Sequence, residues 1–338
     1  MLRLSSSSSP MSPDGGRRAV CLGFRTALQV AKALGPRSLS DAPRSFRLPD
    51  APSRKADMER TIARLRELGA CSHLTLPLHV VAASSSRCRA SDKCCPHSCM
   101  QEVPAAGFAS LGGGVFLAKA PLAFVQEATR LSFVSLLELG YELCGTYRIR
   151  EGDGSAEYQV APLMSCAQLR AFLDRNRGLN GAAKAARALR FMADGSASPR
   201  ETKAAIVLAL PSCSGGYGLS VPHMNFEVAA SPSVAAMAGR KSFRCDLCWP
   251  QARVDVEYQS REHHAGEATR IRDSRRTNAL MSMGFKVVGI TNEELDSLEA
   301  TDVIADTIGR ALGRRRRSVA KGYHGRKVRL RKELGLGT

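Results

Sequence analysis

Apolar positions recur with helical period in FRTALQVAKALG (24–35) and in MERTIARLRELG (58–69), where Ile62, Leu65 and Leu68 form one stripe and Arg60, Arg64 and Arg66 lie off it. LTLPLHVVAAS (74–84) reads as extended. Beyond the Gly-rich FASLGGGVFLA (108–118), the segments APLAFVQEATR (120–130) and SFVSLLELGYELCG (132–145) are helical, with strong apolar content and few breakers. CAQLRAFLDRNRG (166–178) and LNGAAKAARALRFMADG (179–195) continue as helices with a basic face at Lys184, Arg187 and Arg190. From Ser196 the pattern changes. A helix in SPRETKAAIVLALP leads through SCSGGYGLSVP to three strand-like runs, FEVAA, SFRCDLCW and RVDVEYQ; a charged helix, the strand GFKVVGIT and a last helix in TNEELDSLEATDVIADTIGRAL follow.

This order predicts a mixed α/β protein: a leader at 1–20, a helical, winged-helix-like domain at 21–160, a helical connector at 161–195, an α/β domain with a central mixed sheet at 196–312, and a basic tail at 313–338. The winged-helix expectation rests on two helices, a strand and a hairpin-like loop. No apolar run reaches the ~18 residues that a membrane span needs, so a soluble protein without membrane contact is expected.

The formal net charge of +18 changes the picture, because a polyanion such as nucleic acid is its commonest cause. From Arg310 to Lys332 there are eleven Lys or Arg residues and no acid, which reads either as a solvated tail or as a phosphate-contacting one. The Ser- and Arg-rich N-terminus suits a transit peptide and a disordered leader equally, and has no continuous apolar stretch for a secretory signal. Eleven cysteines without framework spacing fit reduced thiols and a cytoplasmic location. Within RCRASDKCCPHSC, a loop could gather four of Cys88, Cys94, Cys95, Cys99 and His97 around zinc, or the cysteines could be free thiols in a loop.

The stretch RCDLCWPQARVDVEYQ (244–259) offers either a Cys245/Cys248 knuckle or a carboxylate site. Side chains alternate across a strand. Phe243, Cys245, Leu247 and Trp249 therefore share one face and Arg244, Asp246 and Cys248 the other, whereas after the turn Val254, Val256 and Tyr258 oppose Arg253, Asp255, Glu257 and Gln259. With both apolar sets on one side, paired residue numbers sum to an odd value, and Asp246 lies opposite Asp255 or Glu257. Carboxylates so placed repel unless a cation lies between them. The same parity separates Cys245 from Cys248 and argues against the knuckle.

Asp246 followed by Glu257 and Gln259 on adjacent strands resembles the PD-(D/E)xK pattern of restriction-endonuclease-like folds. The longer string DLCWPQARVDVEYQSREHH and RIRDSRRTNALMSMGFKVVGIT is similar to the family related to very-short-patch-repair endonucleases (Vsr-like), over about residues 196–300. The N-terminal half resembles type IV (abortive-infection) antitoxins. The resemblance implies a Mg²⁺-dependent DNA endonuclease, with Asp246 and Glu257 holding the metal, Gln259 completing the site, and His264 donating to the leaving group or binding phosphate. It also implies that Arg270, Asp273 and Arg276 contact phosphate or brace the pocket. Glu201 is either a further acid of the site or the capping partner of Ser198. Gln259 stands where the superfamily has Lys, and Ser260 where Gly usually follows; a glutamine positions a water but cannot take its proton. The implied alternative is a catalytically weak or inactive DNA-binding regulator, antitoxin-like, with a cognate toxin or other protein partner.

Overall fold

The computed structural model describes residues 19–36, 40–52, 54–71, 74–84, 90–99, 101, 103–259, 267–314 and 321–337, with backbone only at 267–270, 272 and 273. The fold is mixed α/β, as expected, and divides into two compact units, Met1–Ala123 and Phe124–Thr338. Among the described residues no helix is long and apolar enough to cross a membrane.

The first unit is built on six strands: β1 (Val20–Leu22), β2 (Ser40–Asp41), β3 (Leu78–Ala82), β4 (Cys94–Ser98), β5 (Phe108–Gly112) and β6 (Val115–Ala118), in the order β2-β5-β6-β1-β3-β4. Two helices accompany them, α1 (Phe24–Leu34) and α2 (Lys55–Glu67). This sheet replaces the winged-helix-like arrangement expected for 21–160. The reason is local. FASLGGGVFLA, expected as a hairpin-like loop, is the β5–β6 hairpin and continues into the sheet, turned by Gly112, Gly113 and Gly114 at φ of 77°, 60° and 76°. The cysteine-rich run, expected as a loop, is a strand: β4 pairs parallel to β3 at the sheet edge, the position where a strand tolerates Pro96. Of the expected leader only residues 19 and 20 are described, and Val20 begins β1.

Helix α3 (Ala120–Glu127) carries the chain into the second unit. There α4 (Phe133–Cys144), the hairpin β7 (Tyr147–Ile149) and β8 (Ala156–Tyr158), α5 (Cys166–Arg175), α6 (Ala182–Leu189) and α7 (Pro199–Ala209) pack together. The expected connector at 161–195 is thus part of a core. Leu169, Leu173, Ala185 and Ala188 are buried, and Tyr141 donates to the carbonyl of Phe191 at 3.1 Å. Ser198 caps α7 by accepting from the Glu201 amide, with Pro199 at its first position.

The second sheet has the order β12-β11-β10-β9, from β9 (His223–Ala229), β10 (Ser242–Trp249), β11 (Val254–Gln259) and β12 (Lys286–Thr291). β9, β10 and β11 are antiparallel, and β12 joins parallel to β11, which requires a crossover. Helix α9 (Glu267–Ser282) is that crossover; α8 (Pro232–Ala238), between β9 and β10, packs beside it. Phe243, Cys245, Cys248, Val234, Ala279 and Leu280 form the core between sheet and helices.

Instead of one last helix, the chain breaks at Ser297 into α10 (Asn292–Asp296) and α11 (Leu298–Ala311), because Thr291 and Ser297 each cap a new start. The expected tail folds as well. Helix α12 (Tyr323–Glu333) buries Lys327, Leu330 and Arg331. Lys327 Nζ meets both Asp302 carboxylate oxygens at 2.6 and 2.7 Å and lies over the rings of Tyr217 and Tyr323; Arg331 donates to the carbonyls of Gly337 (2.6 Å) and Leu295. A run of cations becomes a helix here because its inward residues find carbonyls, an acid and aromatic faces, which buried charge requires.

Candidate metal centre

β10 and β11 pair Leu247 with Val256, Cys248 with Asp255 and Trp249 with Val254, so paired numbers sum to the odd value 503 that the apolar parity demands. One step further along this register Asp246 comes opposite Glu257. There the ladder ends and the Asp246 side chain takes over, Oδ2 accepting from the backbone N–H of Tyr258 at 2.9 Å.

Glu257 faces α9. Arg276 embraces it with both guanidinium nitrogens, Nη2 donating to Oε1 at 2.6 Å and Nη1 pairing with Oε2, and also donates to the carbonyl of Arg244. Burial lowers the Arg276 pKa, but the hydrogen bond to Glu257 and the charges of Glu257, Asp255 and Asp246 raise it on balance. Arg276 thus ties Glu257 on β11 to the Arg244 carbonyl on β10.

Glu201 does two things at once. Its Oε1 accepts from Ser198 Oγ at 2.9 Å, while Oε2 accepts from the Ala197 amide (3.0 Å) and from Asn225 Nδ2 (2.7 Å). It therefore braces the start of α7, reaching the amide one residue before the cap. Its charge also acts on Asp246: burial first, then Glu257 and Glu201, push the Asp246 carboxyl up to about 7. Helix α7 packs against β10, and so this bracing residue comes near enough to Asp246 for its charge to act there.

Asp255 completes the group and lies outside the set named from the sequence. It is fully buried, at 0% exposure, and neither carboxyl oxygen has a hydrogen-bond partner. Burial first, then contact with Glu257 and Cys245, push it up to about 11. At neutral pH it therefore carries a proton, and as an acid it becomes a donor toward its neighbours. Its signal in the sequence was its parity with Glu257 in VDVEYQ; that this face would be covered by α9 was the missing piece.

The parity argument fails for the cysteines. Cys245 and Cys248 lie in one buried cluster, and contact with Cys248 together with burial pushes the Cys245 thiol up. The cause is a break in alternation. Asn225 has φ 48°, in the left-handed region, and the β9–β10 ladder passes from Cys245–Phe226 to Leu247–Met224 without an Asp246–Asn225 pair. Cys245 Sγ, an Asp255 oxygen and a Glu257 oxygen consequently lie within 4.8 Å of one another.

Gln259 is exposed and its amide lies over Gly289, where an added Cβ would sit 3.2 Å from Nε2. His264 and the side chains of Arg270 and Asp273 lie outside the described residues. Beside the site, Tyr258 donates through its hydroxyl to Asn292 Oδ1; Arg200 and Asp296, paired at 2.8 Å, line a cleft with Asn292, Glu293 and Ser297.

The residues fit a divalent cation. Cys245, Asp255 and Glu257 bring ligand atoms together, Asp246 feels the charges of Glu257 and Glu201, and Asp255 holds two orphaned oxygens in the interior. Two carboxylates and a thiol together mix hard and soft donors.

The chain is 31% identical over 135 residues to uncharacterized proteins of two strains of Mycobacterium tuberculosis; the match covers 39% of this chain and 45% of each relative, so the chain spans about half the length of the relatives it matches. No family model matches the chain, and no solved structure matches it.

Proposed function

We propose that the second unit is a Mg²⁺-dependent DNA endonuclease centre of the Vsr-like, PD-(D/E)xK kind. The observation that carries this reading is the convergence of Asp246, Asp255 and Glu257 on the central strands of a mixed sheet, with Glu201 of α7 acting on Asp246 and Arg276 paired with Glu257. The order of Asp246, Glu257 and Gln259 along β10 and β11 supports it, and so does the basic surplus of the chain.

When bound, Mg²⁺ would supply a Lewis acid and an activated water for attack on phosphorus. Asp246 and Glu257 would hold it, and binding would require both to be ionised, so the proton that burial and the neighbouring acids favour on Asp246 must leave first. Arg276 holds Glu257 in one orientation and supplies positive charge next to the reacting phosphate. Gln259 can hydrogen-bond and orient a water but removes no proton.

The Arg276–Glu257 pair favours a second reading. A two-pronged guanidinium already neutralises one of the two metal-holding carboxylates, which suits a fold kept for DNA binding with weak or absent cleavage. One experiment separates the two. Purified protein with supercoiled DNA and Mg²⁺ should give nicked or linear product, lost in Asp246→Ala while salt-sensitive DNA binding persists. Binding with no cleavage, indifferent both to Asp246→Ala and to EDTA, establishes the second reading. Cleavage that survives Asp246→Ala defeats the first.

A further inference from the structure

The first unit contains a separate cluster. β3 and β4 pair in parallel with His79 opposite Cys95 and Val81 opposite His97. Alternation puts Cys95 and His97, two apart, on one face of the edge strand, and the pairing sets His79 on the same face of its neighbour. Only the side chains nearest the edge then meet. His79 Nδ1 and His97 Nε2 are 2.8 Å apart, and Cys95 Sγ lies 3.6 Å from the same His97 Nε2. All three ligand-type atoms fall within 4.8 Å of one another, and all three residues are half-buried.

The arrangement differs from a catalytic relay. In a nucleophile–base–orienter triad the base uses its two opposite ring nitrogens, one toward the nucleophile and one toward the orienting group. Here the thiol and the second imidazole both face one nitrogen of His97, so three lone-pair donors converge on one point. A cation satisfies all three at once, whereas a single proton bridges only two.

We propose that His79, Cys95 and His97 bind a zinc-class transition-metal ion. Two imidazoles and a thiolate are borderline and soft donors, which select Zn²⁺ over Mg²⁺ or Ca²⁺. With Zn–S near 2.3 Å and Zn–N near 2.0 Å, tetrahedral bonding sets sulfur and nitrogen about 3.5 Å apart, which the Cys95–His97 spacing already meets. The two ring nitrogens open by roughly half an ångström to reach their own tetrahedral spacing. The Phe24 ring, its centroid 4.0 Å from that of His97, and the Thr26 hydroxyl, which accepts from the His79 amide at 2.9 Å, hold the two histidine positions. Among the described residues the cluster has three members, which leaves a fourth position for water, for an exogenous ligand or for a residue outside them. The candidate loop ligands divide accordingly. Cys94, on the opposite face, is buried, and Cys99 donates instead to the Gln101 carbonyl; Cys88 lies outside the described residues.

The test is metal binding by the chelator-stripped full chain. Zn²⁺ titrated against a chromophoric chelator should bind, and Co²⁺ in its place should show a thiolate-to-cobalt charge-transfer band. Cys95→Ser should abolish the band. His79→Gln and His97→Gln, which keep side-chain size, should each weaken Zn²⁺ binding on the order of 100-fold, with the circular dichroism of the apo chain unchanged. Cys213→Ser, an exposed thiol of the other unit outside both clusters, should leave both signals intact. The proposal is overturned if the wild-type chain takes up no Zn²⁺, if the band survives Cys95→Ser, or if it disappears in Cys213→Ser alone.

Discussion

At the scale of single residues, Asp255 and Arg276 decide the character of the carboxylate group. Asp255 is an acid whose folded pKa, about 11, stands far above its unfolded value. The sign follows from linkage: the stability it contributes is complete below the unfolded pKa of about 4 and is lost progressively as pH rises toward the folded value. Asp255→Asn keeps the shape and removes the titration. In chelator at pH 8 the variant should be more stable than wild type by roughly 2 kcal/mol, the gap closing toward pH 4; urea unfolding at a series of pH values measures it, and a gap independent of pH contradicts a buried, cation-starved carboxyl. Mg²⁺ should then raise the melting temperature of the wild type more than that of the variant. Arg276 is the converse case. Arg276→Met leaves Glu257 without its cation among buried acids, and should cost about 3 kcal/mol in stability. Adding Glu257→Gln to it should recover most of that loss, since the penalty belongs to the abandoned charge.

At the scale of elements, what the sequence made legible was whatever depends on local period. The helices at 24–34, 133–144 and 199–209 and the four strands of the second sheet carry their own apolar patterns, and the odd-sum register of β10 and β11 followed from parity alone. The approach of Asp246 to Glu257 follows from the same parity, whereas Arg276 was named only on the resemblance. Where a neighbour decides, the reading failed. The left-handed Asn225 that reunites Cys245 with Cys248 leaves no mark in SFRCDLCW, and Pro96 disguised an edge strand as a loop. Helix α12 was hidden most completely, because its stability comes from Asp302, Tyr217 and the carbonyls of Leu295 and Gly337, all distant in sequence. That origin is testable. Arg331→Ala strips the buried Leu295 carbonyl and the Gly337 carbonyl of their donor and should cost about 3 kcal/mol, lowering the melting temperature by several degrees. Arg329→Ala, one turn position away and exposed, should change it by less than about 0.5 kcal/mol. Equal effects would mean that α12 is a solvated helix lying on the surface.

At the scale of the whole molecule, the charge of +18 takes on a different meaning once the helix at the C-terminal end is folded. Lys327 and Arg331 face inward and are consumed by the fold, while Arg310, Arg314, Lys321, Arg329 and Lys332 remain exposed. Burying the inward pair fixes α12 against α11, so the exposed cations near it are presented on an ordered helix instead of a solvated tail. An ordered array gives up less conformational freedom on meeting a polyanion than a flexible one does. On the DNA-binding reading, these cations displace counterions, and each phosphate neutralised adds about 0.9 to the slope of log K against log salt. Replacing Lys321, Arg329 and Lys332 together by Glu should therefore reduce the slope for duplex DNA by roughly 2 to 3 without shifting the thermal transition. Fluorescence anisotropy of a labelled duplex across a salt series measures it. A weakened slope in this triple variant, with Mg²⁺-dependent cleavage of the remaining bound DNA unchanged in its requirement for Asp246, would assign α12 to holding the nucleic acid and the β10–β11 carboxylates to acting on it. An unchanged slope would remove α12 from the interface and leave the basic surplus to the first unit and to α9.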